Sequence, residues 1–566
     1  MTTSANFPTT RPSLLLDFAD TRLLDPRITF ARASTATFYD QTTTALAEQN
    51  LLLQSQAFNN GYWGSVATTV SDNTTVAPDG TTTASTITLG VSGANALFNA
   101  TGISVTALST YTFSFYALRG TATDMSYAIY NLTGASFITA VSYYSQTNSS
   151  TWSRIVVTFT VPAGCTSARV YTSSNSTSTG TFYLWGAQLE QRSTATAYTP
   201  TTTAAITNYI PVMQTAASGV ARFDCNPTTG ESLGLLIEES RTNLLTYSSD
   251  FTNAAWSKTS VTVTAAANTA PDGSQTALML VEDSTNNTHF ISGNAASGGA
   301  ATYTMSAYVK AGYRTWAYLT DNATVTATAY FNLTTGTVGT VSGTGSPNAT
   351  ITPVGNGWYR IAMTLTTTGA PVLRVGAASG DGGKQYTGIG WNSLQVWGAQ
   401  LEAGSFATSY IPTVASQVTR AADSASMTGT NFSSWYNVGQ GSFYVDENIQ
   451  WNATDTTTRL IGTLTTTSGV GYVFYKNSLD TNIRSYDGTN ILNTPLVFGA
   501  NKFISAYGGA TKYLCANAGT VVSGAYNSSW ATASAFGFGN SNCATIKRIA
   551  YYPKALTSTQ LQAITS

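Results

Sequence analysis

The sequence is short of charged residues, histidine and cysteine, and each shortage excludes a class of protein. Of its 566 residues, 25 are Lys or Arg and 26 are Asp or Glu, so 9% are charged, against about 25% in a typical soluble domain. The formal net charge is −1, and without clustered Lys or Arg this excludes a nucleic-acid groove or an anionic-membrane surface. The single histidine, His289, excludes a His-paired triad or a His-rich metal site within one chain.

The four cysteines lie far apart along the chain and form no C-x-x-C pair. Cys165, Cys225, Cys515 and Cys543 are therefore predicted to be free and buried, because disulfide frameworks belong to short secreted chains. No run of about 18 apolar residues occurs, so no transmembrane helix is expected. The polar segment 1–12 lacks the apolar core of a signal peptide. No dense acidic loop typical of Ca²⁺ sites is found, so neither metal nor cofactor is expected.

Aromatic and hydroxyl residues are abundant instead. The chain contains 31 Tyr, 23 Phe and 11 Trp, together 11% of its residues, and Thr, Ser, Ala and Gly supply most of the remainder. The chain is not expected to be disordered, because disordered chains combine low hydrophobicity with high net charge. The composition indicates a β-rich protein with a hydroxyl-covered surface. At roughly 150 residues per domain, the length suggests about four units.

Two copies of one module are visible in the sequence. The first copy spans about residues 50–200 and the second about 243–413. Five ordered anchors recur: Asn50-Leu51-Leu52 as Asn243-Leu244-Leu245, Pro78-Asp79-Gly80 as Pro271-Asp272-Gly273, Tyr111-Thr112 with Tyr116 as Tyr303-Thr304 with Tyr308, Trp152 with Arg154 and Ile155 as Trp358 with Arg360 and Ile361, and Trp185-Gly186-Ala187-Gln188-Leu189-Glu190 with Tyr198 and Pro200 as Trp397-Gly398-Ala399-Gln400-Leu401-Glu402 with Tyr410 and Pro412. Such a repeat predicts one supersecondary unit used twice.

Within each copy the hydrophobic pattern is that of strands. Ile155, Val157 and Phe159 alternate with polar neighbours, which is the period of two expected for a half-buried strand. Many short strands separated by Gly, Asn and Ser favour an antiparallel sandwich, and we predict a two-sheet jelly roll. Because both copies share their Trp and Tyr anchors, these are interpreted as core residues; the alternative is a sugar-binding platform.

The last unit, from about residue 420 to 566, is predicted to be a second type of β-sandwich that ends in one short helix. Gly441–Val445 and Ile546–Tyr552 are strand-like. Thr557 and Gln560 have the spacing of a capping box, and the residues after them give one apolar helical face.

One block runs from Leu16-Asp17-Phe18 through Leu24-Asp25-Pro26-Arg27 to Thr37, and a second joins Arg222-Phe223-Asp224 to the run from Gly234 to Leu245. These two blocks resemble bacteriophage head-spike and tail-fibre proteins. The paired modules resemble the carbohydrate-binding-module-like jelly rolls of such fibres. The C-terminal unit resembles a concanavalin A/laminin-G-like lectin sandwich. In the family the two N-terminal segments follow each other directly, whereas here the first module separates them.

These features predict an all-β chain of tandem jelly-roll sandwiches in an elongated multidomain fibre subunit. The expected parts are an attachment peptide at 1–12, a discontinuous N-terminal domain formed by 13–47 and 205–242, the first module at 48–204, the second module at 243–415, and the lectin-like domain at 416–566. The first module is expected to be an insertion at a loop, a site that tolerates extra domains.

The resemblance implies a virion structural protein, a head or tail fibre or spike that binds host-surface polysaccharide. It further implies a homotrimer that is assembled in the host cytoplasm and contacts other virion proteins through its N-terminus. Neither nucleic-acid binding nor membrane insertion is expected. Sugars bind to aromatic faces flanked by polar side chains, and the candidate glycan-binding residues are Trp435, Tyr436, Trp451, Tyr486, Asp487, Trp530, Trp316 and Trp391. Each could equally be a core aromatic.

No catalytic residue is predicted, and the chain is expected not to be an enzyme. The pairs Glu238-Glu239 and Asp446-Glu447 are adjacent in sequence, and neighbours on a strand point to opposite faces, so neither pair can straddle a glycosidic bond. Glu238, Glu239 and Arg241 are interpreted as a structural ion-pair cluster. Two alternatives stay open: a decoration or spacer protein that binds no sugar, and a capsule depolymerase whose carboxylates are distant in sequence.

Overall fold

The structure, a computed structural model, describes residues 10–174, 177–196, 198–265, 269–294, 299–321, 326–451, 455–478, 481–539 and 541–566. It is nearly all β, with several antiparallel sheets, which confirms the predicted tandem β-sandwiches. The chain divides into two compact units, a smaller one of Leu46–Tyr209 and a larger one of Met1–Ala45 with Ile210–Ser566. The predicted attachment peptide at 1–12 falls mostly outside the described residues.

The smaller unit contains module 1, a sandwich of two antiparallel sheets around one apolar core. One sheet has six strands: Ser136–Ser142, Ser126–Asn131, Ser167–Ser174, Ala96–Asn99, Trp63–Val66 and Ile103–Ser104. The other has five: Ser153–Thr160, Thr110–Arg119, Gly180–Glu190, Ala84–Leu89 and Thr68–Thr75.

Module 2 repeats this arrangement inside the larger unit. Its first sheet has seven strands: Trp256–Thr259, Asn286–Asn294, Val372–Ala378, Trp316–Asp321, Ala327–Asn332, Thr337–Gly343 and Gln385–Thr387. Its second sheet has six: Val261–Ala265, Leu278–Glu282, Asn392–Ala403, Ala301–Ala311, Trp358–Thr367 and Asn348–Pro353.

The third sandwich, here called the host sandwich, is built from three separate stretches of the chain. One sheet has eight strands: Arg222–Cys225, Ser232–Ile237, Ala544–Tyr552, Gln440–Ile449, Ala500–Gly508, Thr511–Ala516, Val522–Ala525 and Leu14–Asp17. The other has seven: Thr29–Ala31, Ser424–Thr428, Ala535–Gly539, Arg459–Thr466, Gly469–Lys476, Asn482–Tyr486 and Ile491–Pro495.

The segments predicted to form a discontinuous N-terminal domain contact each other and also contribute strands to the host sandwich. Arg32 Nη2 donates to the carbonyl oxygen of Ala217 at 2.7 Å. Leu14–Asp17 pairs with Ala544–Tyr552, and Thr29–Ala31 pairs with Ser424–Thr428. The sheets of the host sandwich therefore unite these segments with the C-terminal region.

Each module is preceded and followed by strands that pair with each other. Ala36–Asn50 and Ile206–Ala216, which flank module 1, form a two-stranded ribbon. Arg241–Asn243 and Val418–Arg420, which flank module 2, form another. Both modules are thus insertions into the host sandwich, each through an antiparallel ribbon.

Helix is rare. The α-helices are Phe18–Thr21, Thr430–Ser433 and Ser558–Ile564, and the 3₁₀ turns are Tyr144–Gln146 and Ser529–Thr532. The last helix has the predicted capping box, and its Leu561 and Ile564 are buried. Of the helices in the described ranges, none has the length and hydropathy needed to cross a bilayer. All four cysteines are free and buried, as predicted.

The repeated anchors are structural, and their side chains make the same hydrogen bonds in both modules. Trp185 Nε1 donates to Thr83 Oγ1 at 3.0 Å, and Trp397 Nε1 donates to Thr276 Oγ1 at 3.0 Å. Both indoles are at least 95% buried, at 5% and 3% exposure. The interpretation of the shared aromatics as core residues is therefore confirmed for this Trp pair.

The Asn that opens each module uses its whole hydrogen-bonding capacity. Asn243 Nδ2 donates to the carbonyl oxygens of Ala399 and Ile411, and its Oδ1 accepts from the amides of Leu245 and Leu401. Asn50 makes the four equivalent bonds in module 1. One buried amide therefore joins the start, the long strand and the end of each module.

Candidate functional site

Four of the predicted glycan-binding residues are buried. Trp435, Trp451 and Trp530 are 3%, 1% and 0% exposed and belong to the core of the host sandwich. Asp487 is 0% exposed and accepts hydrogen bonds from backbone amides, including that of Asn490 at 2.6 Å. None of these rings offers a face to a ligand, because core packing covers both sides of each.

Three further predicted residues are partly covered. Tyr436 packs on the host core and donates its hydroxyl to the carbonyl of Trp530 at 2.8 Å. Tyr486 stacks on Tyr472 with ring centroids 5.9 Å apart. Trp316 is half-buried in a small cluster on module 2. The structure therefore does not bring the predicted residues together at one surface.

Trp391 is the predicted residue that does present its ring to solvent. It is 59% exposed, and Tyr313, at 54%, lies beside it. The two ring centroids are 5.1 Å apart and the planes meet at 78°. Ile389, 42% exposed, lies two residues before Trp391. Two large rings with exposed faces form an aromatic corner on module 2, here called the Trp391 corner.

A buried carboxylate fixes the two loops that carry this corner. Glu282 ends the strand Leu278–Glu282, and its carboxylate accepts from Arg314 Nη2 at 2.7 Å and from the Tyr386 hydroxyl at 2.7 Å. It also accepts from the amide of Ile389 at 3.0 Å, while its own amide donates to the carbonyl of Trp391 at 3.1 Å. One side chain thus holds the loops before and after the aromatic pair.

The charges beneath the corner are compensated. Burial would raise the pKa of Glu282, but the hydrogen bonds from Arg314, Tyr386 and the Ile389 amide outweigh it and lower that pKa. The hydrogen bond to Glu282 raises the pKa of Arg314. The guanidinium carbon of Arg314 lies 4.3 Å from the Tyr386 ring centroid. The His289 ring also stacks on Tyr386, with the two ring centroids 4.5 Å apart. The support is a charge-paired, stacked layer.

A glycine lets the two loops approach closely. A Cβ on Gly312 would lie 2.6 Å from the carbonyl oxygen of Asn392, so a larger residue would push the loops apart. Gly120 occupies the same place in module 1, where a Cβ would lie 2.4 Å from the Thr181 oxygen. The residue after Gly120 is Thr121, where module 2 has Tyr313. The loop geometry is shared, whereas the aromatic corner is specific to module 2.

Sequence reasoning identified Trp391 but not its partners. Glu282, the adjacent pair Tyr313 and Arg314, and Tyr386 come from three separate parts of the chain, and no spacing in the sequence links the three. The available signal was the repeat itself: Tyr313 follows a glycine that both modules have, at a position where module 1 has a small polar residue. An aromatic ring gained in only one copy indicates a role beyond the shared fold.

Glu238 and Glu239 form ion pairs, as interpreted from the sequence. Glu238 contacts Arg222 at 2.7 Å, and Glu239 contacts Arg241 at 2.5 Å. Burial would raise the pKa of Glu238, but Arg420, Arg222 and the bonds from Ser409 lower it to about 2. Within the part of the chain that the structure describes, no group of three or more His, Cys, Asp or Glu is arranged to hold a metal ion.

Comparison with models of protein families and with curated proteins finds no match. Among solved structures, the tandem CBM22 modules of Xyn10C from Paenibacillus barcinonensis match at 10% identity and a TM-score of 0.21, covering 64% of this chain and 98% of that one. The CBM2 module of the evolved Dit from Lactobacillus casei BL23 phage J-1 matches at 14% identity and 0.18, covering 23% and 69%. At such TM-scores neither likeness bears on the site.

The sialidase of Trypanosoma rangeli also matches, at 8% identity and a TM-score of 0.21, with 51% of this chain and 60% of that chain covered. This finding corrects the prediction that the chain is not an enzyme, because structures of an enzyme stand among the matches. The conclusion that the protein lacks catalytic activity is withdrawn. Since the TM-score is low, the match assigns no activity in its place.

Proposed function

We propose that this protein is a carbohydrate-binding protein of a bacteriophage virion, a head or tail fibre or spike that attaches to host-surface polysaccharide. The observation that carries the binding proposal is the Trp391 corner, in which Trp391 and Tyr313 are 59% and 54% exposed. Large rings are normally buried, so two adjacent exposed rings on a rigid support indicate a binding surface.

The chemistry of the corner favours a neutral sugar. The C–H faces of a pyranose are apolar and stack on aromatic rings, in the geometry of other apolar ring contacts. The cation nearest the corner, Arg314, is already paired with Glu282 at 2.7 Å. An anionic sugar would therefore find no free charge in this support, whereas a neutral ring would lose nothing by stacking.

The virion role is supported by the resemblance of residues 16–37 and 222–245 to phage spike and fibre proteins. These residues contribute strands of the host sandwich, from Thr29–Ala31 to Ser232–Ile237. On this proposal the chain is a homotrimer, and the segment 1–12 binds other virion proteins. Near-zero net charge lets identical chains pack closely without repulsion.

A glycan array followed by calorimetry with the strongest-binding glycan tests the binding proposal. We expect Trp391→Ala and Tyr313→Ala each to weaken binding by about tenfold or more, since each removes a stacking face. Tyr209→Ala is the matched control, because Tyr209 is 62% exposed and lies on a ribbon strand outside both modules. Its affinity should equal that of the unmodified protein.

Two outcomes would replace this proposal with its alternatives. Binding of no glycan by the unmodified protein would favour a decoration or spacer protein. Release of new reducing ends on incubation with host capsule would favour a depolymerase. Equal binding by Trp391→Ala and the unmodified protein would show that the Trp391 corner is not the site.

A further inference from the structure

The larger unit contains a cleft of about 540 Å³ between module 2 and the host sandwich. One wall is the outer face of the second sheet of module 2, where Asn348–Pro353 and Trp358–Thr367 run side by side. The opposite wall combines Thr37–Tyr39, Asp224–Pro227 and the strand end at 448–450. This volume lies within the range of small-molecule binding pockets, about 300–1,000 Å³.

The walls carry hydroxyl and amide groups. Thr350 and Thr352 alternate with apolar neighbours along their strand, so both point to the cleft side. The polar lining continues on the neighbouring strand and across the cleft with Asn348, Thr364, Asn448 and Gln450. Such groups both donate and accept hydrogen bonds, which suits a ligand rich in hydroxyls.

Two polar atoms of this lining are buried without a hydrogen-bond partner. They are Nε of Arg360 and Oε1 of Gln450. Buried polar groups are nearly always hydrogen-bonded, and each exception calls for a missing partner. One group can donate and the other can only accept, so a hydroxyl-bearing ligand satisfies both.

Asp224 is the acidic group of this cleft with capacity left for a ligand. Its Oδ1 accepts from the backbone amide of Tyr39 at 2.8 Å, and among the described residues it makes no ion pair within 4.0 Å. Burial raises the pKa of the Asp224 carboxyl to about 6. Glu238, the second carboxylate of the lining, is instead occupied by Arg222, Arg420 and Ser409.

The cation of the cleft is occupied through two of its three nitrogens. Arg360 Nη1 donates to the carbonyl of Thr408 at 2.6 Å, and Nη2 donates to Ser306 Oγ at 3.1 Å. Module 1 makes the same bonds from Arg154 to Thr196 and Ser114, so they belong to the shared fold. The Nε of Arg360 is the donor left for a ligand, and the two carboxylates of the lining, Asp224 and Glu238, disfavour a carboxylated or sulfated sugar.

We propose that this cleft is a second carbohydrate subsite, one that binds a short neutral oligosaccharide through Asp224, Arg360 and Gln450. The proposal rests on the proposed carbohydrate-binding function and adds the substrate class and a separate location. Asp224 accepts a hydrogen bond from a sugar hydroxyl, Gln450 Oε1 accepts a second, and Arg360 Nε donates to a ring or hydroxyl oxygen. The Trp391 corner shares none of these residues.

Calorimetry on the full chain with maltotriose, cellotriose and chitotriose tests the subsite. Asp224→Asn keeps the shape of the side chain and removes its charge, and Thr350→Trp fills the cleft. We expect each to weaken trisaccharide binding by about tenfold or more. Asp283→Asn is the control, because Asp283 is an exposed carboxylate of module 2 outside the cleft. Unchanged circular dichroism of both cleft variants excludes misfolding as the cause.

The same titrations with Trp391→Ala separate this proposal from the first. Loss of binding in Asp224→Asn with binding retained in Trp391→Ala supports the subsite, even if the Trp391 corner proves inert. Loss only in Trp391→Ala overturns the subsite and leaves the proposed function standing. The subsite is also overturned if the unmodified protein binds none of the three trisaccharides. It is overturned as well if Asp224→Asn and Thr350→Trp both bind a trisaccharide as tightly as the unmodified protein does.

Discussion

Several charged residues of the host sandwich are buried and form ion pairs with one another. Arg222 contacts Glu238 at 2.7 Å and Asp423 at 2.6 Å, and all three side chains are inaccessible to solvent. Asp423 also contacts Arg32 at 3.0 Å. These residues come from all three stretches of the host sandwich, so the pairs join parts of the chain that are hundreds of residues apart. Although few of its residues are charged, the chain therefore has a buried ion-pair cluster in the host sandwich.

Glu238→Gln should destabilise the larger unit by about 3–5 kcal/mol, because it leaves buried guanidinium groups without their counter-charge. Denaturant unfolding measures the change in the free energy of unfolding. The control is Asp25→Asn, which breaks the more exposed 2.7 Å pair with Arg27 and should cost at most about 1 kcal/mol. Equal effects of the two substitutions would contradict a structural role for the buried cluster.

Glu447 is buried, and among the described residues no Lys or Arg forms an ion pair with it, which gives a pH-dependent prediction. Burial raises the pKa of its carboxyl to about 8, although Asn542 Nδ2 donates to Oε2 at 3.0 Å. The folded-state pKa exceeds the unfolded one, so the stabilisation is complete below about pH 4.5 and is lost as the pH rises through about 8.

Glu447→Gln should therefore remove a slope of about 1.4 kcal/mol per pH unit in the free energy of unfolding between about pH 5 and 8. Urea unfolding across this window measures it. Glu231→Gln is the control, because the Glu231 side chain is 63% exposed. Parallel pH profiles for Glu447→Gln and the unmodified protein would show that Glu447 is ionised in the folded state.

At the scale of single elements, the two modules allow one substitution to be made twice. Asn50 and Asn243 each make four buried hydrogen bonds with the same pattern. Replacing either with Ala leaves backbone groups without partners, at about 1–3 kcal/mol for each group that stays unsatisfied. The two sites therefore serve as internal replicates.

We expect Asn50→Ala and Asn243→Ala to lower the free energy of unfolding by about 3 kcal/mol each. Differential scanning calorimetry should assign the first change to the smaller unit and the second to the larger unit. Asn208→Ala, at an exposed position, should change stability by at most about 0.5 kcal/mol. A marked effect at only one of the two sites would contradict the equivalence of the motif.

The sequence predicted elements well where the signal was local or repeated. The capping box of Ser558–Ile564 and the duplicated Trp-Gly-Ala-Gln-Leu-Glu strand depend on neighbours in sequence, and both are present. Burial of individual aromatics was not predictable, because Trp435 is covered by strands over a hundred residues away, such as Ala544–Tyr552. The cleft was equally hidden, since its walls come from seven separate stretches of the chain between residues 37 and 450.

At the scale of the whole molecule, module 1 should fold without the rest of the chain. Residues 46–209 form a compact unit with their own two sheets and their own apolar core, and a chain of this size can bury a sufficient core. We expect the excised fragment to unfold cooperatively, with native near-ultraviolet circular dichroism. A broad, non-cooperative transition would show that the fragment depends on the larger unit.

Deletion of residues 1–12 tests the proposed place of the protein in a virion. If this segment is the attachment peptide, particles assembled with the truncated chain should lack the protein. The purified truncated chain should keep its melting temperature and its proposed trimeric state, as measured by analytical ultracentrifugation. Retention of the truncated chain on particles would contradict the attachment role.

The paired strands at the base of each module have a consequence for how such proteins diversify. Because a module's two chain ends leave side by side, the host sandwich needs only a two-stranded stem to accept whatever the stem carries. Recombination at the stem can exchange one module for another without changing the sheets of the host sandwich. Chains that differ in their inserted modules can thus share one host sandwich.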